Sequence, residues 1–515
     1  MWFVVIAQRE QDVSRTARLW RARTPHEVAC VIGQPLVEVL FAETCQHGPS
    51  MLNRYVVMDL YGPLLAKALF PAFEAARGRP TVPLLRYLQG TERWSLEALR
   101  DLQTGMLRRL LRHAYQHTAY YREAMDERGL RPEDFESVDD IARMPLLDRD
   151  TVRATMDARL AGAPPGVAIK KSTSGTTGEP VVVKYNHESR HWRDATRLRG
   201  YGWAGWQLGQ RTMHYWGFGP PAKTWTHRQK IALDRMIKRD LFVDCTPRGE
   251  EALRAAVDHV RRFEPQAMVA YAAGAAALAH FINDQKLRTW TKSFPVLVGA
   301  ERLWPHDRAA IQEAFGPAFE TYGCREVMLI SSECEAHAGM HTSMETMIVE
   351  VVVREADGTM RPARPGETGE VVITDLHNLA CPMIRYVNGD LAVAHEPAVC
   401  SCGRSLTKIG PIEGRTTETL RDGRGNAVGG LVFNILFGVM DQVAKKFQVV
   451  QRLDGSVVMK VVPTIGAQLP AENSKAIHAF ADKYLPGAPF QIEYVDDIPL
   501  TAAGKRKVVV VERPA

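Results

Sequence analysis

Cysteine is scarce in this chain, with eight in 515 residues. That excludes a disulfide-scaffolded secreted module and makes a reducing, cytoplasmic setting the expectation. Long apolar runs are missing as well. "MWFVVIAQRE" is cut short by Arg9 and Glu10, so no secretory signal is expected. "MVAYAAGAAALAHFI", Met268 to Ile282, carries His280 and falls short of the roughly 20 residues that a membrane-spanning helix needs. Its alanines suit a packed core, and no transmembrane segment is expected. A strong charge of one sign is also absent. A net charge of +6 on a chain of this length demands no nucleic acid or other polyanion, although it suits small anionic substrates. Internal repeats and low-complexity tracts are lacking too.

What is present is a 45% hydrophobic composition, ordinary for a globular protein and sufficient for more than one domain at this length. Residues 1–50 are polar and charged and read as a poorly integrated extension, with an upstream start artefact as the other reading. "YGPLLAKALFPAF" reads as an ordinary packed helix, with contact to a membrane or partner as the other reading. Leu107, Leu110, Leu111 and Ala114 recur at helical spacing. Arg108, Arg109 and Arg112 on the same helix read as a solvated face, in preference to a nucleic-acid contact. Beyond Pro180 the runs "PVVVKY", "PQAMVAYA", "FPVLVGA", "MIVEVVV" and "GEVVITDL" alternate with the helical patterns "EEALRAAVDHVRRF" and "HDRAAIQEAF". Such alternation predicts an α/β core with substantial sheet. After Gly414 the units shorten: "RDGRGN" is a turn, "KKFQVVQRL" and "SVVMKVV" are strands joined at Asp454-Gly455, "AENSKAIHAFADKYL" is a helix and "FQIEYVDD" a strand. The expected layout is an extension over 1–50, a large core domain over 51–414 and a small α+β domain over 415–515.

One segment is too polar and glycine-rich for core. "TSGTTGEP", Thr173 to Pro180, is followed at once by Val181, Val182 and Val183. Its glycines let successive N–H groups point at an anion, while Ser174, Thr176 and Thr177 add hydroxyl donors. No lysine follows Gly178, so it is not the common G-x-x-x-x-G-K-[ST] phosphate loop. A plain turn would use the same residue types. Further along stand "TYGCRE" from Thr321 to Glu326, "PMIRYVNGD" from Pro382 to Asp390, "GPIEGRTTETL" with Arg415, and "IPLTAAGKRK" with Lys505.

These five stretches, in this order, resemble the adenylate-forming superfamily of acyl-CoA synthetases and adenylation domains, from about Leu88 to the C-terminus. "LLRHAYQHTAYYREAMDERGL", "MPLLDRD", "SECEAHAGMHTSMETMIVEVV" and "CSCGR" resemble more closely the phenylacetate-CoA ligase branch and its relatives that adenylate a deazaflavin coenzyme. The resemblance implies a large adenylate-forming α/β domain with mixed sheets and helices, followed by a small mobile α+β domain. It implies a cytoplasmic, AMP-forming acid–thiol ligase that uses ATP, Mg2+ and coenzyme A. Ser174, Gly175, Thr176, Thr177 and Gly178 would hold phosphates, with Thr176 also counted as catalytic. Tyr322, with Gly323 beside it, would stack on adenine, and Glu326 would help to bind magnesium. Asp390 would bind the ribose and Arg415 would support the same nucleotide. Lys505 would bridge the carboxylate and the α-phosphate, with Lys507 as the nearby alternative.

The acid expected is aromatic or otherwise apolar, because Trp216 and Phe218 in "HYWGFGPP" and the "YAAGAAA" stretch fall between the motifs. Core packing would explain those aromatics equally well. The alternative activities are transfer to an amine, carrier or cofactor acceptor, or nucleotide binding without catalysis. A homodimer is the assembly kept open. Two departures stand out: Arg325 where the pattern has threonine, and Thr417 where the hinge residue is often aspartate.

Cys400 and Cys402 form a C-x-C, and Cys334 precedes His337 and His341 in "ECEAHAGMH". Three thiols and one imidazole would complete a closed tetrahedral zinc site, with His341 preferred as the fourth ligand. Some relatives in this branch carry such a cluster. The other reading makes these cysteines small buried hydrophobes. Cys30, Cys45, Cys245, Cys324 and Cys381 receive no role.

Overall fold

The computed structural model describes residues 38–41, 56–172, 181–217, 224–247, 249–355, 358–415, 419–425, 427–429, 443–464, 466–499 and 508–512. Two short hairpins open the strand order: β1 (Glu38–Phe41) with β2 (Val56–Asp59), and β3 (Ile169–Ser172) with β4 (Val182–Tyr185). The latter flanks the "TSGTTGEP" segment, which lies outside the described residues. Ahead of it come α1 (Thr81–Thr91) and α2 (Leu96–His117). The hydroxyl of Ser95 accepts from the Ala98 amide at 3.1 Å and caps α2. Leu107, Leu110, Leu111 and Ala114 are all buried, as their spacing predicts, against Ile348, Leu376 and Ile384. The three arginines of α2 are not merely solvated: Arg108 donates to the Phe135 carbonyl at 2.6 Å. Arg109 and Arg112 reach Glu188 and Glu133.

A twelve-stranded sheet forms the body. Its parallel part orders β6 (Asp240–Asp244), β5 (Thr212–Trp216), β7 (Ala267–Tyr271), β8 (Val296–Gly299) and β9 (Ala318–Cys324). Helix α3 (His187–Trp203) precedes β5, and β5 to β8 are followed in turn by α4 (Trp225–Lys238), α5 (Glu250–Phe263), α6 (Ala272–Asp284) and α7 (Pro305–Ala314). Val257, Leu278, Ile282 and Ile311 of α5 to α7 bury against Met268 and Val296. "MVAYAAGAAALAHFI" is thus core, divided between β7 and α6. Among the described residues no helix is long and apolar enough to cross a membrane.

Beyond β9 the sheet is antiparallel, through β10 (Met328–Glu333), β11 (Met340–Thr342), β16 (Lys408–Arg415), β15 (Tyr386–Ala394), β14 (Thr368–Asp375), β12 (Met347–Arg354) and β13 (Met360–Pro362). Four strand-to-strand steps separate β9 from β15, which would place them roughly 19 Å apart in a flat sheet. Yet the Tyr322 hydroxyl on β9 lies 2.9 Å from the Asp390 carboxylate on β15. The sheet therefore rolls. The three-residue β11 and the register shifts in the β9–β10 and β15–β16 ladders permit that curl. Its inside is filled by Val327, Ile330, Met340, Val371, Ile373 and Ile409.

The chain leaves this sheet at Arg415. A hairpin of β17 (Thr419–Arg421) and β18 (Ala427–Gly429) follows, and then a four-stranded sheet ordered β21 (Phe490–Tyr494), β20 (Val457–Pro463), β19 (Ala444–Gln451) and β22 (Val509–Val511). Helix α8 (Ala471–Tyr484) buries Ile477 and Phe480 in a cluster with Phe447, Val449 and Met459. The α+β units read from the sequence after Gly414 are all present, including the β19–β20 turn, where Gly455 has φ 84°.

One buried charged pair ties the larger unit together. Arg199 on α3 donates to Glu345 at 2.7 and 2.9 Å and to the Leu88 carbonyl at 2.8 Å, while the Thr91 hydroxyl donates to Glu345 at 2.5 Å. Both charged side chains are fully enclosed, which joins α1, α3 and the turn before β12. Arg199→Met leaves a buried carboxylate without its cation and should cost about 3–5 kcal/mol in chemical denaturation. Adding Glu345→Leu should recover a large part of that loss. A double variant no more stable than the single one would rule out a charge-based role for the pair.

Candidate functional site

The β9–β10 turn carries the "TYGCRE" residues. Tyr322 is buried, and its hydroxyl donates to Asp390 at 2.9 Å. Burial and the neighbouring Asp390 carboxylate push that hydroxyl well above its ordinary pKa, so it remains a donor. Asn388 closes the triangle, its amide donating to Tyr322 at 2.5 Å and to Asp390 at 2.9 Å. Gly323 sits where any Cβ would come within 2.2 Å of the Met328 carbonyl oxygen, so the close approach across this hairpin requires glycine. Arg325 projects from the turn and is exposed. Glu326 points inward and accepts from the Tyr386 hydroxyl at 3.0 Å, with Arg149 3.9 Å away.

Asp390 faces Arg415 across the β15–β16 ladder. Tyr322, Gly323, Glu326, Asp390 and the backbone of Arg415 therefore gather at one place, although 93 positions of sequence separate the first from the last, by subtraction of their numbers. "MPLLDRD" joins them. The Leu147 amide donates to the Arg385 carbonyl at 2.9 Å, the Val387 amide to the Leu147 carbonyl at 3.0 Å, and Arg149 to the Asn388 carbonyl at 3.0 Å. Ser174, Gly175, Thr176, Thr177, Gly178, Phe218, Thr417, Lys505 and Lys507 lie outside the described residues.

Sequence reading gave no role to Asn388, Tyr386 or Arg149. Two of them stand inside the "PMIRYVNGD" stretch and the third in "MPLLDRD", but only the rolled sheet shows which carboxylates they hold. It also missed Arg302, which follows β8 and pairs with Glu413 on β16 at 2.9 Å. That pair ties the loop after β8 to the strand that ends at Arg415. Beside it the C-terminal ends of β5 and β7 bring Trp216 and Tyr271 edge to face, with centroids 4.3 Å apart. A side chain at Gly274 would press on Cys245, and one at Gly299 on Thr321.

The cysteine and histidine residues form a second cluster. Cys334 follows β10, His341 lies on β11, and Cys400 and Cys402 occupy the turn between β15 and β16. Their four ligand atoms all lie within 4.8 Å of one another. Cys334 and Cys400 sulfurs are 3.8 Å apart, the separation of about 3.8 Å expected for thiolates on one tetrahedral zinc with bonds of about 2.3 Å. His341 turns Nε2 to the Cys402 sulfur at 3.4 Å, while Nδ1 meets the Leu406 carbonyl at 3.0 Å. That second contact fixes the tautomer that leaves Nε2 available as a ligand. Burial lowers the imidazole to about 4 and raises the Cys334 thiol to about 12, so without a cation these two groups are neutral. The donor set fits zinc. His337 turns elsewhere, to Glu333 at 3.1 Å.

The Tyr322–Asp390 contact can be tested directly. Tyr322→Phe removes one donor from a buried carboxylate and should cost about 1–3 kcal/mol of unfolding free energy. An unchanged stability would show that Asp390 is satisfied without the phenol.

No protein-family model matches the chain. Among curated proteins it is 28% identical over 368 residues to a phenylacetate-coenzyme A ligase of Thermus thermophilus, covering 70% of this chain and 80% of that one. It is 26% identical to the enzymes of that name from Pseudomonas putida, over 65% of this chain and 74% of that one, and Escherichia coli, over 65% and 75%. Among solved structures it resembles 2-hydroxyisobutyryl-CoA ligase in the postadenylation state with 2-HIB-AMP, at 17% identity and TM-score 0.63, covering 82% of this chain and 91% of that one. An open conformation of the same ligase with 2-HIB-AMP and CoA gives a TM-score of 0.55. In sequence the chain is thus similar to phenylacetate-coenzyme A ligases, and in fold to a CoA ligase that holds an acyl adenylate.

Proposed function

We propose that this protein is an ATP-dependent carboxylate–CoA ligase. The carboxylate attacks the α-phosphorus of ATP and expels pyrophosphate. The thiol of coenzyme A then attacks the acyl carbonyl, loses its proton and expels AMP. The observation that carries this reading is the convergence of Tyr322, Glu326, Asp390 and the β16 end at Arg415, from motifs whose order resembles that of adenylate-forming enzymes.

In this scheme Asp390 holds the ribose hydroxyls and Tyr322 packs beside the adenine. Arg415 supports the same nucleotide. Ser174, Gly175, Thr176, Thr177 and Gly178 hold the phosphates with backbone and hydroxyl donors. Glu326 is the carboxylate for magnesium, which when bound neutralises phosphate charge. Arg325, exposed on the same turn, adds a cation where the pattern has threonine. Residues 415–515 act as a small mobile domain that carries Lys505 to the reacting carboxylate and α-phosphate. The acid is aromatic or otherwise apolar, as the Trp216–Tyr271 pair suits.

Cys334, His341, Cys400 and Cys402 hold a structural zinc with no open position for chemistry. Arg404 braces their turn through Glu335 at 3.0 Å and Glu92 at 3.3 Å.

Carboxylate-dependent pyrophosphate exchange across aryl and aliphatic acids, with and without coenzyme A, tests the activity. Exchange is expected for an apolar acid, and AMP release should depend on coenzyme A. Lys505→Ala should lower exchange by about a hundredfold or more, near 3 kcal/mol, while ATP still binds. Exchange at the wild-type rate in that variant would remove Lys505 from the chemistry. Metal analysis of the purified chain should find about one zinc per molecule. The Cys400→Ser/Cys402→Ser variant should lose it, and a metal-free wild type would end the zinc assignment.

A further inference from the structure

Among the described residues eleven large apolar side chains are exposed, and seven of them belong to two segments. One is α4; the other is the helical stretch Tyr61–Ala76, which holds a π turn at Leu65–Leu69. The two meet end to end. The Tyr61 hydroxyl donates to the Ile237 carbonyl at 2.8 Å, and Arg239, just past α4, donates to Asp59 at 2.5 Å.

Helix α4 is turned the wrong way for a globular surface. None of its residues is buried. Ile231 and Arg235 are the half-covered ones, and the Arg235 guanidinium lies 4.0 Å from the ring centroid of Phe242 on β6. The opposite side carries Trp225, Leu233 and Met236 at helical spacing, with Trp225 67% exposed. In the neighbouring stretch Leu64, Leu69 and Phe73 follow at steps of five and four, the five accommodated by the π turn, and all three are exposed. An apolar face of this extent on a soluble protein marks a docking surface.

Charge selects the occupant. Helix α4 has Arg228, Lys230, Arg235 and Lys238 against a single carboxylate, Asp234, and residues 61–79 have Lys67, Arg77 and Arg79 against Glu74. Two of these cations are paired locally, Lys238 with Asp234 and Arg79 with Glu74, and Arg77 stacks on Phe73 at 4.5 Å. Outward tryptophan, leucine, methionine and phenylalanine flanked by an excess of cations is the composition of a helix that lies in a lipid interface. A second copy of this chain would meet its own positive charge there.

We propose that α4 and the Tyr61–Ala76 stretch dock the protein on anionic lipid bilayers, with Trp225, Leu233 and Met236 entering the headgroup boundary. The chain would be peripheral, held by two helices without crossing the bilayer. This surface is independent of the ligase reading and stands or falls without it.

Sedimentation of the full-length protein with vesicles tests the idea. Vesicles of phosphatidylcholine with phosphatidylglycerol should carry the protein down, phosphatidylcholine alone should carry much less, and added salt should release it. Leu233→Asp/Met236→Asp should weaken the partition by about tenfold or more, while circular dichroism and melting stay unchanged. Arg228→Glu/Lys230→Glu, which leaves the apolar face intact, should weaken binding to the anionic vesicles alone. Failure of the wild type to sediment with either vesicle would overturn the proposal, as would equal binding by the aspartate variant. A wild-type dimer that this variant splits into monomers would assign the face to a second copy and equally overturn it.

Discussion

The rolled sheet is the constraint on which the site depends. Laid flat, β9 and β15 would stand four strands apart, and Tyr322 and Asp390 would have nothing to do with each other. Rolling brings a phenol to a carboxylate at 2.9 Å, in a space lined by Ile330, Val371 and Ile373 where neither group could afford to be unpaired. The same curl faces Glu326 toward Tyr386 and sets β10, β11 and the β15–β16 turn close enough to gather three thiols and an imidazole. Nucleotide-site candidates and the cysteine–histidine cluster are two consequences of one bend.

Rigid anchoring surrounds that bend. Arg199 and Glu345 are wholly enclosed, and Arg385 reaches both Glu350 and the carbonyls of Ala142 and Met144. Each arginine serves several partners from different segments, so the planar five-donor head acts as a joint between helices and strands. Such joints stabilise little relative to an apolar core but specify one arrangement strongly, since any shift strands a buried charge. The exposed apolar side of α4 presents the opposite case, a surface whose large apolar side chains stand open to solvent.

How legible the site was depended on whether a residue acts locally. Tyr322, Glu326, Asp390 and Arg415 became candidates through the likeness of their short motifs to those of adenylate-forming enzymes, a likeness carried by neighbours in sequence. Asn388, Tyr386, Arg149 and Arg302 did not, because their partners lie on other strands and side-chain pairing across a rolled sheet leaves no local spacing. The choice between His337 and His341 shows the same limit. Both stand close to Cys334 in sequence, but strand alternation and pairing with β10 and β16 carry His341 inward. His337 has φ 50° and turns to Glu333. The "YGPLLAKALFPAF" segment is helical and buries Leu65, as expected of a packed helix, but it also exposes Leu64, Leu69 and Phe73, because hydrophobic composition says nothing of what a face meets.

By itself the sequence determined the kinds of elements and much of their order: helical spacing buried Leu107, Leu110, Leu111 and Ala114, apolar runs became β7, β8, β12 and β14, and Asp454-Gly455 became a turn. These follow from backbone and side-chain preferences that act over a few residues. Tertiary structure alone decided that β9 closes on β15, which histidine joins the thiols, and which face of α4 looks outward. The first two depend on the curvature of a twelve-stranded sheet and the third on how α4 lies against β6, properties of long-range contacts that no short window of residues encodes.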